Sequence, residues 1–147
     1  MNQAHGSHSP IRSIGSVLAG LLVVVLLSTG TDMALHASGI YPPMFQPMST
    51  SLWVLATAYR LVYSVLGGYI TARLAPDRPL FHAMVLGTIG IALSLAGTVA
   101  TWSKGPEFGP KWYPIGLIVL AIPCSWAGAR LRLMQLRARY VGRAEEA

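Results

Sequence analysis

The chain has 147 residues with a formal net charge of +6; 53% are hydrophobic and 11% charged. That charge content is about half of what a soluble domain uses to cover its surface, so a soluble globular fold is excluded. One cysteine, Cys124, rules out an internal disulfide and a multi-cysteine metal cluster, and in an apolar run it reads as a small hydrophobe.

A polar leader over residues 1–10, "MNQAHGSHSP", reads as a disordered tail, with His5 and His8 as part of it. The first apolar run, 11–31, is close to the roughly 20 residues needed to cross the hydrocarbon as a helix. It is longer than the core of a cleaved signal peptide and carries only Arg12 as a basic flank, so it is expected to remain as a span.

The connector "TDMALHASGIYPPMFQPMST" follows, with Pro42, Pro43 and Pro47 barring a regular helix through its second half. Asp32 and His36 stand four apart and share a face if the first helix continues to Ala37. One His and one carboxylate fall short of the three or four ligands of a zinc site, so no metal and no cofactor is expected.

The second run, 51–74, opens on the capping cluster Ser49, Thr50 and Ser51. Its small and polar residues Thr57, Arg60, Ser64, Gly67 and Thr71 alternate in spacing between three and four, along one stripe, with Gly68 beside it. Arg60 lies seven residues beyond Trp53, about 10 Å along a helix axis. An Arg at that depth in a bilayer needs a partner or water. Asp32 is the expected counter-ion, with Glu107 in the loop before the fourth run as the other option, and Tyr59 and Tyr63 supply hydroxyls nearby, completing a candidate polar cluster of Asp32, His36, Tyr59, Arg60 and Tyr63.

A tight turn, "APDRP", leads into the third run, 80–101, with His82 near the boundary. Ala83, Gly87, Gly90, Ser94, Gly97 and Thr101 form a second small-residue stripe of the kind that lets membrane helices approach closely. The turn makes the second and third runs neighbours, and the two stripes are expected to meet. The loop "WSKGPEFGPK" then leads to the fourth run, 112–133, where Pro114 sits in the first turn and Pro123 is expected to kink the helix. Residues 11–136 thus make one four-span domain, followed by a basic tail over 137–147.

Lys and Arg are divided unevenly. Arg12, Arg73, Arg78 and the cluster Arg130, Arg132, Arg137, Arg139 and Arg143 fall on one side, Lys104 and Lys111 on the other. The positive-inside rule makes both termini cytoplasmic. Trp53, Trp102, Trp112 and Tyr113 gather at the opposite boundary as an aromatic belt. The basic residues anchor the chain to anionic headgroups rather than to nucleic acid.

The stretches "TDMALHASGIYPP", "LATAYRLVYSVLGGYITARLAPDRP" and "KGPEFGPKWYP" resemble those of a group of small bacterial proteins known only as hypothetical four-span membrane proteins. The resemblance implies a bacterial inner-membrane location and brings no activity, so no functional residue is carried over. Small multidrug exporters also have four spans, but they hold an essential acid in the middle of the first; here that stretch reads "LAGLLVVVLLS".

The expected architecture is all-α, an integral-membrane antiparallel four-helix bundle. No phosphate-binding loop, HExxH or Gly-x-Ser-x-Gly elbow is present in the sequence. The leading functional expectation is a non-enzymatic accessory or interaction subunit, partnered by a membrane protein or by copies of itself. The alternatives are an oligomeric small-solute or ion transporter with Arg60 in its path, and a membrane enzyme using Asp32 and His36.

Overall fold

A computed structural model describes residues 10–145, so the leader expected over 1–10 lies almost wholly outside the described residues. The chain forms four helices: α1 (Pro10–Ala37), α2 (Thr50–Leu74), α3 (Pro79–Thr101) and α4 (Trp112–Glu145), with a single 3₁₀ turn, Pro106–Phe108, before α4. No strand is present among the described residues.

Local chemistry sets the boundaries. Gly39, at φ +75°, takes the left-handed conformation that ends α1. The Ser38 amide meanwhile bonds the Ala34 carbonyl at 3.0 Å. Ser49 occupies the N-cap of α2 in an extended conformation, but its hydroxyl pairs with Ser51 at 2.9 Å rather than with a helix amide. Pro79 opens α3, where a missing N–H costs nothing. Arg78 before it adopts φ +37°, the sharpest backbone departure in the tight turn.

At two boundaries the helix outlasts the apolar run. α1 runs six residues beyond Thr31, making Asp32 and His36 helical. α4 runs through Pro123 without interruption and on to Glu145, so the basic tail from residue 137 is helical as far as it is described. Arg-rich sequence is a good helix former, and the polarity that marks the end of an apolar run does not mark the end of a helix.

Three helices are long and apolar enough to cross a membrane: α1, α3 and the segment Pro106–Ala144 that holds α4. α2 has the length but is less apolar, with Arg60 and Arg73 along it. It is also the most enclosed by its neighbours, packing against α1, α3 and α4.

The closest helix approaches are made over glycines. A Cβ on Gly67 would lie 2.9 Å from the Gly20 carbonyl of α1, and one on Gly20 would lie 2.6 Å from the Gly67 carbonyl. A Cβ on Gly68 would lie 2.7 Å from Ser125 Cα of α4, and one on Gly128 would lie 2.6 Å from the Tyr69 amide. Neither crossing has room for a side chain.

These crossings correct the expectation that the α2 and α3 stripes meet. Gly67 faces α1 and Gly68 faces α4. Gly87 faces Ile122 of α4, with its Cβ position 3.1 Å from Ile122 Cα. Backbones approach where both helices present a small residue at the same level, and Gly20 and Gly128 supply those partners from α1 and α4. Gly97 has no atom within 4 Å of its Cβ position and packs against nothing. Ala83, fully buried, joins Ala72 and Ala129 in the small apolar core near the α2–α3 turn.

Candidate functional site

The polar residues gather at the end of the bundle that carries Trp53 and Trp112. α1 reaches this end with its last two turns, and α2 begins there. Asp32 and Arg60 form an ion pair, with the guanidinium Nη2 donating to Oδ2. Their side chains are 29% and 22% exposed, so the pair is half-enclosed by protein. Oδ1 of Asp32 accepts a bond from the Tyr59 hydroxyl. Arg60 Nη1 donates to that same hydroxyl at 2.9 Å and to the Ala56 carbonyl at 3.4 Å. Carboxylate, guanidinium and phenol thus close a three-membered ring of bonds between α1 and α2.

Two further tyrosines complete the surroundings. Tyr41, in the connector after α1 and only 4% exposed, sets its hydroxyl 3.3 Å from that of Tyr59. The guanidinium carbon of Arg60 lies 5.1 Å from the Tyr59 ring centroid and 5.8 Å from that of Tyr113 at the start of α4. Stacking on ring faces stabilises a cation that lacks its full water shell. Tyr113 in turn packs on Trp53, with centroids 4.8 Å apart. Two helices besides α2, α1 through Asp32 and α4 through Tyr113, therefore contact Arg60, and the connector reaches it through Tyr59.

Of the residues singled out from the sequence, Asp32, Tyr59 and Arg60 are brought into direct contact. Tyr63 is one turn away, bonded to Thr31 of α1 at 2.9 Å, and its ring lies 5.8 Å from that of Tyr59. His36 turns elsewhere: Nδ1 sits 2.8 Å from the Pro42 carbonyl and the ring packs edge-on against Tyr41 at 5.3 Å. It pins the connector to α1 rather than serving Asp32. Tyr41 and Tyr113 are the site residues that sequence reasoning missed, since neither lies on the stripe of α2. The proline-rich segment around Tyr41 was the available signal, because a rigid connector can fold back over a helix end.

Three cavities border Arg60. One of about 330 Å³ lies among all four helices and includes Ser28, Asp32, Ser64 and Ser94. A second, about 300 Å³, lies under the connector and includes His36, Tyr41 and Trp53. A third, about 360 Å³, lies between α2, α3 and α4 and includes Thr98, Phe108 and Tyr113. Ser64, Gly90 and Ser94, expected to be packing residues, also border the first of these cavities. The Ser64 hydroxyl bonds back to the Arg60 carbonyl at 2.8 Å, and Gly90 meets only Ala121 at an ordinary 3.5 Å.

Among the described residues, no three His, Cys, Asp or Glu side chains gather where they could hold a metal ion. No protein-family model matches the chain, and neither the curated proteins nor the solved structures include a match.

Proposed function

We propose that the chain is a four-pass inner-membrane protein of bacteria, with both termini in the cytoplasm, acting without catalysis as an accessory or interaction subunit. The observation that carries this reading is the closed bonding of Asp32, Tyr59 and Arg60. Each carboxylate oxygen accepts a hydrogen bond, one from Tyr59 and one from Arg60. The charges offset one another between two helices, which is the arrangement of a clamp rather than of a proton carrier.

Four passes are supported by the length of α2, 25 residues or about 37 Å, against a hydrocarbon thickness of about 30 Å. Its less apolar surface is the one covered by the other three helices. The antiparallel arrangement of α1 and α2 is supported by their contacts: Gly20 meets Gly67, and Asp32, twelve residues further along α1, meets Arg60, seven residues back along α2. The basic face of α4 beyond Arg130 suits anionic headgroups. The likeness to hypothetical four-span bacterial proteins agrees with this location.

In-membrane photocrosslinking tests the role. α1 carries Leu22 and Leu26, 56% and 66% exposed, on a surface no other helix covers. A photoreactive residue at Leu22 should yield one discrete crosslinked membrane partner, or a dimer of the chain itself. Adducts with lipid alone would overturn the interaction role.

One observation favours a second reading. Three separate cavities each border Arg60, the residue a solute path would pass. Under that reading Arg60→Lys keeps the fold and abolishes anion uptake in liposomes.

A further inference from the structure

The cavity among the four helices has a shape and a polarity that the clamp does not account for. It runs from Leu21 to Asp32 along α1, eleven residues or about 16 Å, so it is a slot rather than a sphere. Its deep part is bordered by Leu21, Val24, Leu61 and Ala121, and its other end by Ser28 and the Asp32–Arg60 pair. It opens sideways between α1 and α3, where Val25 and Leu93 on the rim are 45% and 56% exposed. α1 and α3 pack far less closely than α1 and α2 or α3 and α4. An apolar slot opening toward the lipid-facing surface admits molecules from the bilayer, not from water.

At the polar end two groups await a partner. Ser28 Oγ is shielded from solvent and has no hydrogen-bond partner among the described residues. Arg60 uses three N–H bonds, to Asp32, Tyr59 and Ala56, of the five a guanidinium offers. A shielded hydroxyl left unpaired is costly, so an occupant that bonds it is favoured. The site is already charge-balanced. An anionic head would leave a net negative charge beside Asp32, and a cationic one a net positive charge beside Arg60, in both cases where desolvation is expensive.

We propose that this slot binds an uncharged membrane amphiphile, its carbonyl accepting hydrogen bonds from Ser28 and Arg60 and its hydrocarbon tail lying along α1 toward Leu21. A glycerolipid ester and a lipid quinone both carry that head. The proposal rests on the bundle lying in a bilayer but not on the accessory role.

The test uses the full chain in phosphatidylcholine nanodiscs with a diacylglycerol bearing a diazirine in mid-chain. Adducts should map to residues 21–32 and 90–94. Excess unlabelled dioleoylglycerol or a decyl-substituted benzoquinone should suppress them, and whichever competes more strongly identifies the head. Val25→Trp, which plugs the rim, should abolish these adducts. Val62→Trp, on an exposed face of α2 away from the slot, should leave them unchanged. Ser28→Ala should weaken competition about fivefold, the loss of one hydrogen bond. Adducts spread over the apolar surface, equal labelling in the two Trp variants, or adducts that neither competitor suppresses would each overturn the proposal. A chain that stays soluble and never enters nanodiscs would overturn the membrane reading along with it.

Discussion

Arg60 of α2 is paired with Asp32 of α1, 28 positions earlier in the chain, and Tyr59 bonds to both partners. The pair ties together the two helices whose backbones also approach closely at Gly20 and Gly67, toward the other end of the bundle. α1 and α2 are thus held at two levels, by electrostatics at one and by close packing at the other.

The ion pair makes a quantitative prediction. Asp32→Asn and Arg60→Gln should each destabilise the protein, because each leaves an uncompensated charge at a half-enclosed site. The double variant should lose less than the sum, with a coupling on the order of 1 kcal/mol given the partial exposure. Thermal melts of the four proteins in one detergent measure it. Strictly additive losses would show that the two side chains do not stabilise one another.

Tyr41 offers a separate handle on the connector. Tyr41→Phe removes a hydroxyl that is 3.3 Å from Tyr59 while keeping the buried ring. The expected loss is about 1 kcal/mol or less, given the length of the bond. Limited proteolysis within residues 38–49 should quicken, because the hydroxyl pair of Tyr41 and Tyr59 holds this segment against α2. Unchanged cleavage rates would indicate that the ring and the His36 contact suffice.

Glycine substitutions should separate the crossings from the open positions. Gly68→Ala and Gly128→Ala each place a methyl where backbone atoms already sit, and should destabilise by about 1–3 kcal/mol. Gly97→Ala meets nothing within 4 Å and should be neutral or stabilising. Gly90→Ala reaches only ordinary contact with Ala121 and should also be tolerated. A melting temperature for Gly68→Ala equal to that of Gly97→Ala would mean that α2 and α4 are not in the contact described.

Topology is open to direct measurement. In a Cys124→Ser background, single cysteines at Gln46, Asp77, Glu107 and Ala144 report the ends of the helices. An impermeant maleimide should label Gln46→Cys and Glu107→Cys in intact spheroplasts, and Asp77→Cys and Ala144→Cys only after lysis. Labelling of Asp77→Cys in intact cells would invert the proposed orientation and bring the Arg60 cluster to the cytoplasmic side.

The helix limits were legible wherever the chain uses glycine or proline. Pro79 and the turn before it mark the start of α3 to within one residue, and Ser49–Ser51 mark that of α2. The ends of the apolar runs are not the ends of the helices. Asp32 and His36 continue α1, and the arginines after Leu133 continue α4. The acid chosen as partner for Arg60 was identifiable because it stands where an apolar run ends on the side of the bundle that Arg60 occupies. The glycine pairings were not. Spacing shows that small residues share a face, but which neighbour that face meets depends on helix rotation, and α2 presents Gly67 and Gly68 to two different helices.

The division of one charge pair between two helices bears on how the protein is made. In the proposed four-pass arrangement α1 emerges from the ribosome before α2, and it is long and apolar enough to cross a membrane. α2 follows with Arg60 and no acid of its own, since none of Thr50–Leu74 is Asp or Glu. An unpaired Arg within a span costs roughly 2–3 kcal/mol on insertion. Asp32 relieves that cost only when α1 is still beside the entering segment. The two helices should therefore insert as a hairpin. In a glycosylation-mapped insertion assay, α2 alone should insert poorly, α1–α2 well, and α1–α2 carrying Asp32→Asn no better than α2 alone.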